Sequence, residues 1–345
     1  MINFKLGNRL VSNSHKPLVI AEIGINHEGQ LWKAKKMVDD AYSVGCECVK
    51  FQYHIPEEEM IKNNTIPGNA NESIWNIIER CALSEKEELE LFEYVKKKNL
   101  IYLSTPFSKK AAENLFKMGV SGFKIGSGEC NNFPLIDFIS KYKKPIILST
   151  GMNDINKIKK SVKIIKKNKC QFSILHCVSL YPTPYDKLNL NRMIKLKKIY
   201  PNIPIGLSDH TLGIHASLAA VSLGANIIEK HFTSSKKWRG PDIPISIDKS
   251  DLKLLKKFSE DIFLTLKNVP EKKMRSFEKK TINFAYSSVV TIKDIKKGEK
   301  LNKKNIWVKR PGLGDYLAKD FNKLLGKKVT RKIQKNKFLK KKDLI

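Results

Sequence analysis

The chain lacks any apolar run long enough to cross a membrane, and this absence excludes a large class of proteins. None of its hydrophobic stretches approaches the roughly 20 residues that a bilayer requires. The N-terminal sequence MINFKLGNRL also lacks the apolar core that follows the basic start of a signal peptide. The sequence therefore predicts a cytoplasmic protein with no membrane partner.

Cysteine is scarce and follows no recognisable pattern. Six cysteines are scattered along the 345 residues, and none forms a CxxC pair. Cys48 and Cys177 fall inside predicted strands and Cys46 lies two residues before one, which favours buried reduced thiols over a disulfide framework or a zinc site. Cys130 stays open as a nucleophile because it neighbours Glu129 at a predicted strand end.

Acidic residues are few relative to basic ones, and the formal net charge is +31. Lysine supplies far more of this charge than arginine, whereas a nucleic-acid-binding protein is expected to interleave arginine and aromatic residues along a groove. The lysines fall in helix-face runs such as 157–169 and in the C-terminal tail. We predict a solvated basic surface and no nucleic-acid partner. Lys50 and Lys124, at predicted strand ends, stand apart as candidate anion ligands.

Eight short apolar runs, each closing on polar or charged side chains, organise the first part of the chain. Stretches long enough for crossover helices, such as 31–45 and 108–120, separate them. Strands that alternate with helices pair in parallel, and about eight such units predict a closed (β/α)8 TIM barrel. The predicted strands are 18–26, 48–52, 100–107, 122–129, 145–150, 172–179, 204–210 and 227–232.

The C-terminal part of the chain is organised differently. The barrel pattern covers 1–265, and a charged, weakly periodic segment at 266–282 predicts a linker. In the remaining 283–345, the sequence IKKGEKLNKKNI (295–306) recurs as IQKNKFLKKKDL (333–344), with Gly298 and Asn336 at equivalent places. Both residue types tolerate a left-handed backbone. The repeat predicts a compact, mostly β domain with internal pseudo-symmetry.

The predicted functional site lies at the C-terminal ends of the strands, where barrels carry their chemistry. His210 and His231 suit a divalent metal ion, with a hydrogen-bonded structural pair as the open alternative. Their neighbours in SDH (208–210) and EKH (229–231) predict an anionic setting. Lysines and hydroxyls without compensating carboxylates predict a small anion with phosphate or carboxylate groups. The strand-end set is Glu22, Lys50, Thr105, Lys124, Ser127, Glu129, Ser149, Ser179, Ser208, His210 and His231.

Two carboxylates, Glu22 and Glu129, belong to this predicted mouth. A buried carboxylate near cations serves as a general base or accepts hydrogen bonds from a polyol. An ion pair with Lys50 or Lys124 is the alternative, and the residues alone leave both readings open.

The loops that follow the strands add polar residues to the predicted site. His27 is a further candidate for a substrate contact, whereas His15, His54 and His215 lie outside the strand ends and are assigned no role. The loop candidates for a polar sugar pocket are Asn69, Tyr181 and Asp242. Arg310, on the Pro/Gly-rich loop 308–315, is a candidate ligand contact, and a simple turn is the open alternative for that loop.

Eight motifs follow one another along the barrel: AEIGINHEG (21–29), VKFQ (49–52), LSTPF (103–107), KIGSGECNN (124–132), ILSTGM (147–152), HCVSLYPTPY (176–185), GLSDHT (206–211) and EKHFT (229–233). Together they resemble the bacterial sialic acid synthases. The tail, with IKKGEKL and VKRPGLGD, resembles the C-terminal antifreeze-like (SAF, β-clip) domain of that family. The resemblance extends over essentially the whole chain.

The resemblance implies condensation of phosphoenolpyruvate with N-acetylmannosamine and water to give N-acetylneuraminate and phosphate, with Mn²⁺ or a similar divalent ion such as Mg²⁺ or Co²⁺. It implies that the metal is held by His210 and His231. It implies phosphoenolpyruvate contacts from Lys50, Thr105, Lys124, Ser127, Ser149, Ser179 and Ser208. It implies sugar contacts from Glu22, Asn69, Tyr181 and Asp242 and, across a domain-swapped homodimer, from Phe284 and Arg310. Our mechanistic hypothesis makes Glu129 the base that activates the attacking water.

The sequence also offers alternatives for the acceptor sugar and for the function of the tail. Ser179 stands where close bacterial sialic acid synthases have Asn, which weakens the assignment of one exact sugar. The nearest alternative is a legionaminate or pseudaminate synthase that uses a diacetamido-trideoxyhexose. A phosphorylated acceptor is disfavoured because the sequence offers no second arginine cluster. An ice-binding role for the tail is disfavoured by its dense lysines.

Overall fold

A computed structural model describes residues 4–68 and 70–344, and the chain divides into two compact units, 1–266 and 267–345. The strands are β1 Phe4–Leu6, β2 Arg9–Val11, β3 Leu18–Gly24, β4 Cys48–Tyr53, β5 Ile101–Pro106, β6 Phe123–Ile125, β7 Ile146–Ser149, β8 Phe172–Cys177, β9 Ile205–Asp209, β10 Ile227–His231, β11 Ser288–Thr291 and β12 Ile306–Lys309.

Helices follow most of the strands of the first unit. The α-helices are α1 Leu31–Ser43, α2 Pro56–Glu59, α3 Ile74–Cys81, α4 Glu85–Lys97, α5 Lys109–Met118, α6 Phe133–Ser140, α7 Ile155–Lys167, α8 Tyr185–Leu188, α9 Asn191–Ile199, α10 His215–Ser222, α11 Lys249–Thr265, α12 Glu271–Phe277, α13 Lys279–Ala285 and α14 Phe321–Leu324. Short 3-10 helices span Gly128–Asn131, Ile243–Ile245, Ala318–Asp320 and Lys341–Asp343.

The first unit is the predicted (β/α)8 barrel. Its eight parallel strands run in the order β5-β4-β3-β10-β9-β8-β7-β6, and β5 and β6 at the two ends of this order lie side by side. All eight predicted strands are present within a few residues of their predicted bounds. The largest difference is at β6, which ends at Ile125 instead of reaching residue 129. Two glycines follow it, Gly126 and Gly128, and the chain turns into a 3-10 helix.

Alternation along the strands divides the barrel interior into an apolar end and a polar end. Successive side chains of a strand point to opposite faces, so Ile20 and Glu22 of β3 share the interior face, as do Ile227 and Glu229 of β10. The antiparallel hairpin β1–β2 packs against the apolar end. The cluster there comprises Phe4, Leu6, Val11, Leu18, Ile20, Cys48, Leu103, Ile147, Leu175 and Ile227.

The outer faces of the strands pack against amphipathic helices. In α7, Ile158, Val162 and Ile165 recur at helical spacing and are buried in the main core. Asp154 begins this helix by accepting hydrogen bonds from the backbone N–H groups of residues 156 and 157. The lysines of the 157–169 run are exposed on the opposite face. This run is therefore the solvated helix face that the sequence predicts.

The second unit contains the antiparallel pair β11–β12 and a separate small core. Ile295 and Ile333, equivalent positions of the sequence repeat, form a backbone bridge with each other. Gly298 and Asn336 both adopt positive φ, +80° and +59°. The segment 266–282, for which the sequence predicts a linker, contains α12 and the beginning of α13.

Membrane-spanning helices are not found among the residues that the structure describes, because none of its helices combines the necessary length with the necessary apolar character.

We predict that Glu88 makes stability depend on pH. This carboxyl on α4 is buried, accepts a hydrogen bond from the Tyr102 hydroxyl, and has its pKa raised to about 7 by burial. The protonated form is favoured in the folded state, so its contribution is complete below about pH 4.5 and is lost as the pH rises through about 7. We measure the free energy of unfolding in urea for Glu88→Gln and wild type. As the pH rises from 5 to 8, the value for Glu88→Gln should increase relative to that of wild type by on the order of 3 kcal/mol. Equal pH dependence of the two proteins would contradict the assignment.

Candidate active site

The polar end of the barrel opens into a cavity of about 380 Å³. Side chains from or just after all eight barrel strands line it, as do three isoleucines of α3. The polar lining residues are Glu22, Lys50, Gln52, His54, Thr105, Lys124, Ser127, Ser149, Ser179, Tyr181, Ser208, His210, Glu229, His231 and Asp242.

The first buried ion pair joins Lys50 of β4 to Glu22 of β3. Lys50 Nζ lies 2.8 Å from Oε1 of Glu22 and donates to Oγ1 of Thr105 at 3.3 Å. Burial raises the pKa of Glu22, with the Lys50 ammonium opposing the shift. Oε2 of Glu22 is buried and makes no hydrogen bond with the described residues. One oxygen of this carboxylate is therefore held in place, and the other can accept a hydrogen bond.

The second buried ion pair joins Lys124 of β6 to Glu229 of β10. Lys124 Nζ lies 2.8 and 2.9 Å from the two carboxylate oxygens, and Ser208 donates to one of them at 2.9 Å. Burial raises the pKa of Glu229, but the ammonium groups of Lys124 and Lys50 outweigh it and bring the pKa to about 2. The lysines thus have carboxylate partners, contrary to the prediction of uncompensated donors. The sequence left Glu22 open as a general base, as an acceptor for a polyol or as an ion-pair partner. The structure contains the ion pair, with Lys50.

Hydroxyl groups surround these pairs. Ser127 accepts a hydrogen bond from the backbone N–H of Gly151 at 3.0 Å. The Ser149 hydroxyl is buried and has no hydrogen-bond partner among the described residues. A Cβ on Gly151 would lie 2.4 Å from Oγ of Ser179, so this glycine leaves the room that the hydroxyls occupy.

His210 and His231 lie next to each other at the rim, with ring centroids 5.4 Å apart. The Tyr181 ring stacks on His210 at 4.2 Å. His210 Nδ1 lies 2.9 Å from the backbone oxygen of Val178, which accepts from it, so the lone pair of the neutral ring lies on Nε2. Burial lowers the pKa of His231 and keeps this ring neutral, while Nδ1 of His231 makes no hydrogen bond with the described residues.

Asp242 lies beside His231, with Oδ2 of the carboxylate 3.7 Å from Nδ1 of the ring. Burial raises the pKa of Asp242 to about 6. Among residues 4–68 and 70–344, no group of three or more His, Cys, Asp or Glu side chains is arranged to hold a metal ion. The two imidazoles, with their available lone pairs, are the donors that fit one.

Glu129 is not brought to the cavity with the other strand-end residues. The early end of β6 places it in the 3-10 helix Gly128–Asn131, where its carboxylate accepts from the Asn132 amide at 2.6 Å. The prediction that Glu129 lies at the mouth assumed a strand continuing to residue 129. Gly126 and Gly128 are the sequence feature that argued against a strand reaching residue 129, because glycine weakens a strand interior.

The charged residue directly before each histidine points away from the site, because side chains alternate along the strands. Asp209 and Lys230 are fully buried behind the barrel wall and pair with each other at 3.1 Å. Ser217 of α10 donates to Asp209, and Lys230 donates to the backbone oxygen of Thr211. The sequence predicted that the residues before His210 and His231 create an anionic setting for a metal ion. This prediction is wrong for Asp209 and Lys230, which face away from the cavity.

Two other predicted residues of the first unit, His27 and Cys130, do not line the cavity. His27 is buried away from it and accepts from the backbone N–H of Gly29. Cys130 is buried, and burial raises the pKa of its thiol to about 11, which argues against a nucleophile. Phe284 on α13 and Arg310 after β12 belong to the second unit, where both side chains are exposed. Asn69 lies outside the described residues.

Three features of the site escaped the sequence analysis. Glu229 and Gln52 are found by counting two residues along a strand, from His231 and from Lys50. His54, set aside on the sequence, is only 5% exposed and lines the cavity. The apolar wall of Ile74, Ile77 and Ile78 comes from α3, a helix that the strand pattern does not reveal.

Two family models match this chain, one over most of the barrel unit and one over the C-terminal unit. A family model described as the NeuB family matches residues 37–270, and one described as the SAF domain matches residues 286–345. The chain is 38% identical to the N,N'-diacetyllegionaminic acid synthase of Campylobacter jejuni, covering 94% of this chain and 99% of that protein. It is 31% identical to the human N-acetylneuraminate-9-phosphate synthase, covering 93% and 90%.

A solved structure shares the fold. The N-acetylneuraminic acid synthetase of Leptospira borgpetersenii, in complex with citrate, matches with a TM-score of 0.73 and 34% identity, covering 80% of this chain and 95% of that one. Barrel, site and relatives lead to one assignment: the chain is an enzyme of the NeuB family, a group of condensing synthases, and carries a C-terminal SAF domain.

Proposed function

We propose that the enzyme condenses phosphoenolpyruvate with the open-chain form of N-acetylmannosamine and water to give N-acetylneuraminate and phosphate. The observation that carries the proposal is one cavity in which two buried ammonium groups, Lys50 and Lys124, lie below two neighbouring imidazoles, His210 and His231. Phosphoenolpyruvate carries a phosphate and a carboxylate, and two fixed cations suit it. The motif GECNN (128–132) favours the sialic acid type of acceptor.

Phosphoenolpyruvate is proposed to bind among the lysines and hydroxyls. Each ammonium group is held by a carboxylate, Glu22 or Glu229, and therefore remains charged and oriented inside the barrel. Thr105, Ser127, Ser149, Ser179 and Ser208 supply hydroxyl donors around them. Preorganised donors in a site that excludes water contribute most where charge develops, on the order of 3 kcal/mol each.

The sugar is proposed to bind above, near Glu22, Tyr181 and Asp242. Oε2 of Glu22 can accept a hydroxyl hydrogen because it has no hydrogen-bond partner among the described residues. Burial raises the pKa of Asp242 to about 6, so its carboxyl group can donate a hydrogen bond to the sugar when protonated and accept one in either form. Asn69 is retained as a sugar contact on the resemblance alone.

A divalent ion, with Mn²⁺ proposed first and Mg²⁺ or Co²⁺ as substitutes, is expected to be held by His210 and His231. Their geometry supports this because one ring keeps a lone pair on Nε2 and the other is neutral with a buried, unpaired Nδ1. Such an ion, when bound, polarises a carbonyl oxygen as a Lewis acid.

The chain's own residues handle charge and protons in the proposed reaction. C3 of phosphoenolpyruvate forms a bond to the aldehyde carbon, whose oxygen takes up a proton. Water adds at C2 and gives one proton to a carboxylate, which balances the proton delivered to the aldehyde oxygen. The new C2 hydroxyl then becomes the ketone as phosphate leaves with the electron pair of the C2–O bond and carries away the hydroxyl proton. We propose Glu22 as this base instead of Glu129, because Glu22 lines the cavity and burial raises its pKa.

A second acceptor class has specific support. The relative at 38% identity is a diacetyllegionaminic acid synthase. The isoleucines of α3 also offer an apolar wall to methyl groups, which a diacetamido-trideoxyhexose carries in larger number. A legionaminate or pseudaminate synthase is therefore the second candidate. Phe284 and Arg310 are proposed to reach a partner's barrel in a domain-swapped homodimer, again on the resemblance.

The acceptor is tested by phosphate release from phosphoenolpyruvate with Mn²⁺ present. We expect release with N-acetylmannosamine and little with 2,4-diacetamido-2,4,6-trideoxyhexoses. Release only with a diacetamido sugar would establish the second candidate. Release with none of these sugars would contradict the proposed function.

We predict that Lys124→Met lowers the free energy of unfolding by about 3–5 kcal/mol, because it leaves Glu229 buried without its partner. The variant should also lose about 10²–10³-fold in kcat. Replacing both residues, as Lys124→Met with Glu229→Leu, should recover most of the stability in urea unfolding but none of the activity. A double variant that stays as unstable as the single one would show that the ion pair is not the cause.

We predict that chelation stops phosphate release and that added Mn²⁺ restores it. His231→Ala should bind Mn²⁺ more weakly in a titration, because one of the two imidazole donors is missing. His215→Ala is the matched control, since this exposed histidine begins α10 and lies outside the cavity. Equal Mn²⁺ affinity in His231→Ala and wild type would remove the metal assignment.

A further inference from the structure

One short stretch of sequence, KFQYHIPEEE (50–59), builds a connected set of hydrogen bonds behind Glu22. Lys50, Gln52 and His54 are spaced by two and face the cavity, while Phe51 and Tyr53 between them pack into the outer core. This one segment therefore supplies both the lysine that binds Glu22 and the side chains beyond it.

The chain reverses directly after His54. Pro56 occupies the first turn of α2, a position that suits proline because no N–H is needed there. The four-residue helix brings Glu59 back onto His54, so that Nδ1 of the ring lies 2.9 and 3.1 Å from its two carboxylate oxygens. The side chains of both residues are 4% exposed.

The other side of the His54 ring is held as well. Nδ1 donates to the Glu59 carboxylate, and Nε2 lies 3.1 Å from Oε1 of Gln52. An ion pair between Glu59 and a ring that carries both N–H groups makes Nε2 a donor too, and it donates to the Gln52 amide oxygen. The ring stacks on Phe107 with centroids 4.3 Å apart and planes within 13°. His54 is thus fixed at both nitrogens and on one face.

This contact decides which way the Gln52 amide points. With its oxygen turned to His54, its nitrogen faces Glu22 and donates to Oε1 at 3.2 Å. The same Oε1 receives Lys50 at 2.8 Å, so Oε2 is the oxygen left to the cavity. A reversed amide would set its oxygen against the carboxylate and repel it.

We propose that Glu59 and His54 are positioning residues, which act through Gln52 to orient the Glu22 carboxylate toward the sugar. Neither needs to touch a substrate for this role. The inference rests on the proposed function only in assigning the sugar to Oε2 of Glu22. Nothing in it depends on which acceptor sugar is correct.

His54→Phe is the first test, because phenylalanine keeps the stack on Phe107 and removes both hydrogen bonds. We expect kcat/KM for the acceptor sugar to fall about 10–100-fold, as when the support of a site residue is removed. The KM for phosphoenolpyruvate should change less than about twofold, because the direct contact between Lys50 and Glu22 remains. Glu58→Gln, an exposed carboxylate on the same short helix, is the matched control and should behave like wild type.

A double-mutant cycle separates positioning from direct contact. If His54 acts only through Gln52, the variant carrying Gln52→Leu and His54→Phe should be no worse than Gln52→Leu alone. Additive losses would mean that His54 contacts the sugar itself and would overturn the inference. Unchanged kinetics in His54→Phe would overturn it too.

A crystal structure of His54→Phe supplies a readout that needs no activity. We expect the Gln52 amide to have turned away, so that neither its nitrogen nor its oxygen remains within hydrogen-bond distance of Glu22. An amide still bonded to Glu22 would overturn the inference. If His54→Phe does not fold, Glu59→Ala tests the same link from its outer end. A wild-type enzyme inactive with every acceptor would contradict the proposed function, while the turned amide would still support the positioning role.

Discussion

Burying two lysine ammonium groups inside a barrel costs several kcal/mol for each of them unless opposite charges accompany them. Lys50 and Lys124 meet this constraint through Glu22 and Glu229, which come from the neighbouring β3 and from β10. The two pairs keep the cations charged and oriented. The hydroxyls, the two imidazoles and the support behind Glu22 are arranged around this charged layer.

Alternation along the strands separates the charged side chains that face the cavity from those that face the surrounding helices. On β10, Glu229 and His231 face the cavity, whereas Lys230 between them faces the helices and pairs with Asp209. The hairpin β1–β2 packs against the apolar end of the interior, away from the two lysine–glutamate pairs. The apolar cluster and the polar site therefore occupy different ends of one interior.

Much of the site follows from the sequence because the strands are short, apolar and regularly spaced. Lys50, Thr105, Lys124, Ser149 and His231 all belong to the barrel strands and line the cavity as predicted. Glu129 does not, because two glycines end β6 early and the chain coils into a 3-10 helix. Strand ends are located only to within a few residues from sequence, and such a shift moves a side chain to another face.

The sequence by itself determined the eight-stranded barrel, the second unit with its internal repeat and the family, since periodicity and ordered motifs are local properties. Only the tertiary structure decided which charges pair. Lys124 and Glu229 are 105 residues apart, and no local pattern joins them. The role of His54 was likewise invisible, because it depends on a four-residue helix returning Glu59 to the ring. Contacts between distant residues arise when the barrel closes, and closure is a property of the whole fold.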